Sequence, residues 1–358
     1  MKIGIFTFHC ANNFGAVLQA YALAKYLTSY YEVYIIDYKP LYLLKTTFFF
    51  PTLNDYKRRP IKSIKSTIKS ILNFNNKLRM LRCFSSFKEK YLPLFEFTDE
   101  KELTTFDTII VGSDQVWNLE ITEGFDKYFW GDLIPENVKL ISYAASVGRY
   151  KFKQNEFPTI RNKISKYSAI SVREINIKEL LSNIIPEKKI QLVLDPTFLI
   201  DKKIYKEICN KPIYNEKYIV IYEVVHDSNT ERIAIKLANE LNVPIIQIGS
   251  KSKNKRIKSI TNIGPAEFIN YINYSLFVIT TSFHGTAFSL ILNKDFYTIK
   301  LGTEIDERAK TLLNAINLSD RHINKTSNPP YTKINYEQVN TKLSSIIKVS
   351  KDFLHQNL

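Results

Sequence analysis

A chain of 358 residues that is 45% hydrophobic is long enough for two cores of ordinary size and needs neither metal nor disulfide to hold them. Its three cysteines, Cys10, Cys83 and Cys209, are odd in number and far apart; this excludes a disulfide framework and a zinc spacing and points to a reducing, cytoplasmic compartment. A formal net charge of +15 favours anionic partners, but without zinc-finger spacing or RNP-type aromatics nucleic acid is not expected, and a phosphorylated substrate or an anionic membrane surface is.

The opening MKIGIFTFH lacks the long apolar run and cleavage site of a signal peptide and reads as a strand over residues 3–8. A loop follows from His9 to Gly15, then a helix-forming segment from Ala16 to Ala24 that is apolar on most faces, then a Val- and Ile-rich strand from Tyr31 to Asp37. Strand, small-residue loop, buried helix and strand make a βαβ unit. Its loop, with Asn13, Gly15 and nearby Gln19, brings backbone amides to a helix N-terminus, a place for an anion or a cluster of sugar hydroxyls.

From 41 to 97 the α/β rhythm weakens. Residues 41–50 are aromatic and apolar, and a lysine-rich stretch from Lys57 to Arg79 carries apolar residues at roughly helical spacing. This predicts an amphipathic basic helical insertion. It either lies peripherally on an anionic membrane or a lipid-linked substrate, or is a solvated helix face. A base-composition bias toward Lys, Asn, Ile and Tyr accounts for the same positive charge without any partner. No stretch approaches the roughly 20 apolar residues of a spanning helix.

Four strands follow: Asp107 to Val111, Val138 to Ala144, Ser168 to Val172 and Ile190 to Leu194. They end in Gly112-Ser113-Asp114-Gln115, Ala145-Ser146-Val147-Gly148, Arg173-Glu174 and Asp195-Pro196. Small or charged residues after each strand match the rule that open parallel sheets bind ligands beyond their carboxyl ends. The interval 196–216 is the best boundary, dividing a domain over 1–196 from one over 197–358. The second series reads as a strand over 218–225, a helix over 230–242, a strand over 244–249 and a basic loop over 250–258. A short helix over 267–273, a strand over 276–280, a helix over 285–292 and a last helix over 335–348 complete it. The expected class is two-domain α/β with the active site between the domains.

The sharpest chemical constellation is Thr281-Ser282-Phe283-His284-Gly285-Thr286, where a buried strand runs into polar residues and a small-residue helix. It sets an imidazole, which passes protons near neutral pH, beside helix amides. Asp114, in Gly112-Ser113-Asp114-Gln115-Val116-Trp117, either binds sugar hydroxyls, abstracts a proton or caps the next turn. Trp117 stacks on a sugar ring or fills a core. Arg173 is a strand-end guanidinium suited to a carboxylate or phosphate, or an ion-pair partner of a neighbouring Glu. Arg149, Arg308 and Lys300 are further cations of the same kind. Phosphate-loop, HExxH, GxGxxG and GxSxG patterns do not occur, and the histidines have no metal-ligand spacing.

Taken together, His9 to Ala16 with Leu18-Gln19-Ala20, Gly112 to Trp117, Ser171-Val172-Arg173-Glu174, Leu194-Asp195-Pro196-Thr197, Gly264-Pro265 with Glu267-Phe268, and Thr280 to Gly285 resemble the polysaccharide pyruvyl transferase family over about residues 1–325. The resemblance implies two Rossmann-like domains in a GT-B-like arrangement, with the active site in the interdomain cleft. It implies transfer of the enolpyruvyl-derived group of phosphoenolpyruvate onto two sugar hydroxyls as a cyclic ketal, on a polysaccharide or lipid-linked oligosaccharide acceptor, with no further cofactor. His284 would be the acid, Asp114 the base and Arg173 a donor clamp. This chain departs from the family pattern in carrying Ser282 where an arginine is common. A second cation, Arg308 or Lys300, would then be required, and a nucleotide-sugar donor or a noncatalytic glycan-binding role stays open as the alternative.

Overall fold

A computed structural model describes residues 1–45, 47–51, 53–209, 211–302 and 306–358. The chain opens as β1 (Lys2–Phe6), α1 (Phe14–Leu27) and β2 (Glu32–Ile36). Ile3, Ile5 and Phe6 of β1 are wholly buried, as a parallel strand covered on both faces requires. The expected insertion is helical: α2 (Leu41–Leu44), α3 (Leu53–Arg58), α4 (Pro60–Leu72) and α5 (Phe74–Tyr91) lead into β3 (Leu94–Phe95) at the sheet edge. Next come β4 (Thr108–Val111), β5 (Lys139–Ala145), α6 (Phe157–Ser165), β6 (Ala169–Val172), α7 (Ile175–Ile184) and β7 (Ile190–Leu192). These seven strands form one sheet in the order β3-β2-β1-β4-β5-β6-β7, every pair of it parallel.

The second series is α8 (Lys202–Ile208), β8 (Ile219–Tyr222), α9 (Ser228–Leu241), β9 (Ile245–Ile248), β10 (Ile257–Ile260), α10 (Pro265–Tyr274), β11 (Phe277–Thr280), α11 (Phe283–Ile291), β12 (Asp295–Ile299), α12 (Asp306–Ala315), β13 (His322–Ile323) and α13 (Tyr336–Asn357). Its six strands are also parallel, in the order β10-β9-β8-β11-β12-β13. Both sheets wind outward in two directions from a central pair, β1/β4 in one and β8/β11 in the other, so the expected two Rossmann-like domains are present.

Local chemistry sets the helix ends. Asp227 caps α9 by accepting from the Asn229 amide at 2.9 Å, and Asn242 ends it in the left-handed conformation. Pro265 starts α10, and Glu267 reaches back to accept from the Gly264 amide at 3.0 Å. One sequence expectation is corrected here. The basic stretch 250–258 is not loop throughout, because Ile257 and Lys258 already pair with Ile245 and Ile246 as the start of β10. The alternation of Lys and Arg hid a short edge strand.

The two sheets share a continuous core. Phe14, at the start of α1, stacks on Phe84 of α5 and Phe268 of α10 with ring centroids 5.4 and 4.8 Å apart. The last helix also joins the domains and runs further than the expected 335–348. Ser350 of α13 accepts from the Leu194 amide at 2.9 Å, and Phe353 packs against Tyr143 of β5. Near its start, Tyr336 donates to the Ser289 carbonyl of α11 at 3.2 Å. Among the described residues no helix is long and apolar enough to cross a membrane.

Candidate active site

Strands of a doubly wound sheet diverge where the winding reverses, leaving a crevice beyond their carboxyl ends. The β1/β4 and β8/β11 crevices face each other across a cavity of about 430 Å³. Asn13 enters it after β1, Asp114 and Gln115 after β4, Arg149 after β5, Ser282 to His284 after β11, and Arg308 from α12. The cavity is therefore an interdomain cleft, where the sequence placed the site.

His284 lies in the first turn of α11. Thr280 Oγ1 donates to the Tyr222 carbonyl at 2.6 Å and accepts from the Ser282 amide at 2.9 Å, which turns the chain from β11 into the helix. Gly285 lets this turn close, since a Cβ there would sit 2.1 Å from Thr280 Oγ1. On the opposite side the ring meets α1. A Cβ on Gly15 would lie 2.1 Å from His284 Nδ1, so the imidazole rests on the α1 N-terminus only because residue 15 has no side chain. Asn13 caps that terminus, accepting from the Ala16 amide at 3.1 Å. His284 Nε2 is buried without a hydrogen bond and lies 3.7 Å from Asp195 Oδ2.

Behind His284 is a buried charge cluster. Arg173 donates to Asp195, approaches Asp114 at 3.4 Å and lies 3.8 Å from Glu174. Burial by itself would raise the Asp195 carboxyl, but the neighbouring His284 and the charge of Arg173 hold it well below the usual carboxylate range. Glu174 goes the other way, its carboxyl raised by burial although Arg173 and Arg308 oppose this and Ser146 donates to it. Arg173 and Arg308 both lie over the Phe283 ring, with guanidinium carbons 5.6 and 5.2 Å from its centre. Burial, and then the neighbouring charge of Arg173, pull Arg308 below its ordinary pKa. Unlike Arg173, Arg308 lines the cavity.

The structure thus brings Asn13, Asp114, Gln115, Ser282, Phe283, His284 and Arg308 to one cavity. It places other residues that the sequence singled out away from the cavity wall. Arg173 is not among the residues that line the cavity; its guanidinium lies among Asp114, Glu174 and Asp195 behind it. Trp117 is wholly buried, stacked on Trp130 and donating to the Phe129 carbonyl at 2.8 Å, so it is a core residue and no sugar platform. Gln19 donates to Thr7 and the Ala16 carbonyl, and Ser113 accepts from Thr7 through its carbonyl; both hold the first loop from within. Thr286 bonds Ser282 and Thr298 inside the second domain. Gly15 and Gly285 act by giving room. Lys300 continues toward β13, donating its amide to Ile323, and does not line the cavity.

Asp195 and Glu174, in the charge cluster behind the cavity, were not singled out as candidates. Their signal was present in the sequence: each follows a strand closely, as Asp114 does. Asn118, Tyr222 and the backbone beyond β8 also line the cleft.

A family model described as polysaccharide pyruvyl transferase matches residues 13–301. No curated protein matches the chain. Among solved structures, the chain is similar to the UDP-GlcNAc 2-epimerase of Methanocaldococcus jannaschii, with 13% identity, a TM-score of 0.43, and coverage of 97% of this chain and 93% of that one. It is also similar to the UDP-GlcNAc 2-epimerase of Neisseria meningitidis, with 11% identity, a TM-score of 0.45, and coverage of 99% and 93%.

Proposed function

The chain belongs to the polysaccharide pyruvyl transferase family, and from that premise we propose that it moves the enolpyruvyl-derived group of phosphoenolpyruvate onto two hydroxyls of a sugar as a cyclic ketal. The acceptor is a cell-surface polysaccharide unit or its lipid-linked precursor, handled on the cytoplasmic side. At a coarser level the chain is a sugar-modifying transferase on a two-domain GT-B-like scaffold.

The observation that supports the finer reading is that His284, 3.7 Å from the buried carboxylate of Asp195, lines one interdomain cavity together with Arg308. A histidine facing a buried carboxylate is held as the proton donor that the methylene carbon of phosphoenolpyruvate needs. Protonation turns the methylene into a methyl and leaves positive character at the adjoining carbon. A sugar oxygen bonds there, the bond to the phosphate oxygen breaks, and the second hydroxyl closes the ketal. One of the two hydroxyl protons leaves with the phosphate and the other restores His284. Arg308, Arg149 and the α11 N-terminus hold the donor's negative charge, while Asp114 faces the acceptor hydroxyls. The second cation that Ser282 fails to supply is Arg308, brought in by α12.

A second reading, transfer from a nucleotide-sugar, is favoured by one feature. The β8/β11 crevice is the switch point of a doubly wound sheet, a usual seat for nucleotides, and Ser282 leaves it less cationic than an arginine would. Calorimetry with phosphoenolpyruvate beside a panel of nucleotide-sugars separates the two, followed by an assay of what is released. Saturable phosphoenolpyruvate binding is expected, weakened about 10- to 100-fold in Arg308→Ala, with inorganic phosphate as product. If only a nucleotide-sugar binds and nucleotide is released, the second reading replaces the first.

A further inference from the structure

Helix α4 is amphipathic in the inverse sense. Its hydroxyl face turns inward, where Ser63 is buried and Thr67 bonds the Ser63 carbonyl and the Tyr56 hydroxyl. Its apolar face turns outward. Ile61, Ile64, Ile68, Ile71 and Leu72 recur at the spacing of one helical stripe, and each is between 51% and 78% exposed. Leu53 of α3 and Phe74 of α5 are exposed at its two ends. A row of large aliphatic side chains left in water is a binding surface, since scattered single exposures do not align in this way.

Charge selects what covers it. Residues 53–79 contain eight Lys or Arg and one Asp. Lys62 and Lys65 are exposed on α4 beside the isoleucine stripe. A cavity of about 520 Å³ opens alongside, lined by Lys45, Arg58, Arg59, Lys62 and Lys77 with Phe49. A second copy of the chain would set this excess of positive charge against itself. A surface that is both apolar in depth and negative at its rim fits both features.

We propose that the α3–α5 insertion, with the α4 isoleucine stripe at its centre, docks on an anionic phospholipid bilayer. The isoleucines sit among the upper acyl chains, and the flanking lysines and arginines lie at the level of the headgroup phosphates. The helix lies in the plane of the surface and does not cross it. This inference rests on the insertion alone and holds for either donor.

The test is flotation of the full chain with vesicles of phosphatidylglycerol and phosphatidylcholine against vesicles of phosphatidylcholine alone, at low and physiological salt. The chain floats with the anionic vesicles and stays behind with the neutral ones. Ile64→Glu with Ile68→Glu lowers the bound fraction at least about tenfold, and Lys62→Glu with Lys65→Glu does so by a similar factor that shrinks as salt rises. All four positions are exposed, so both variants retain the wild-type thermal midpoint and donor binding. The proposal is overturned if anionic vesicles leave the chain unbound, or if the isoleucine variant floats like the wild type. It is also overturned if sedimentation shows that the stripe joins two copies and the vesicles bind neither.

Discussion

Asp195 has no exposure to solvent, yet it faces two groups that carry or accept positive charge, Arg173 and His284. A carboxyl depressed in the folded state stabilises it fully above its unfolded value of about 4, and that contribution is lost as pH falls below this toward the folded value. Asp195→Asn leaves Arg173 with one carboxylate fewer in a dry site. It is expected to lower stability at neutral pH by about 3–5 kcal/mol. Urea unfolding from about pH 7 down to pH 2 checks the sign, because the variant should lose less stability on acidification than the wild type does. The sequence showed Asp195 as a strand-end carboxylate, but its partners stand just after β6 and on α11, which no spacing along the chain connects. The same blindness explains Arg173. A strand-end guanidinium reads identically whether it meets a ligand or three carboxylates.

Among the elements, α1 and α11 set the position of the proposed acid by meeting end to end at His284. The contact depends on Gly15, where an added Cβ would lie 2.1 Å from the imidazole Nδ1. Gly15→Ala is expected to push the ring aside and cut kcat/KM by about 100-fold, as displacements near 1 Å do. Donor binding through Arg308 should change much less, so kinetics and calorimetry on the same protein separate positioning from binding. The asparagine- and glycine-bearing loop was legible as a helix start with special backbone needs. That its glycine makes room for a histidine from the other domain was not, because sequence reports a missing side chain but not what fills the space. Trp117 stayed open between a sugar platform and a core residue for a related reason. Its neighbours in sequence belong to the cleft loop, while its ring turns back onto Trp130 and Tyr167 in the core.

On the scale of the whole molecule, α13 is the tie between the domains. Its first turn bonds α11, and its last turns bury Phe353 and Leu354 against the first domain. Removing residues 349–358 should cost about 3 kcal/mol or more from lost apolar burial and lower the thermal midpoint by several degrees. Small-angle scattering of that variant should report a looser pair of domains. We propose that the boundary lies in the segment 196–216, with α13 returning across it.

By itself the sequence determined the α/β class, the two series of strands, the helical insertion and the loops that carry the chemistry. These follow from hydrophobic period, turn residues and caps, all written within a few residues of where they act. Only the tertiary structure decided which strand-end residues share the cleft, which are neutralised behind it, and that Arg308 reaches the same cavity as Ser282. Those outcomes depend on the order in which parallel strands are laid down and on two domains closing face to face. Contacts made that way join residues whose separation along the chain carries no trace of their meeting.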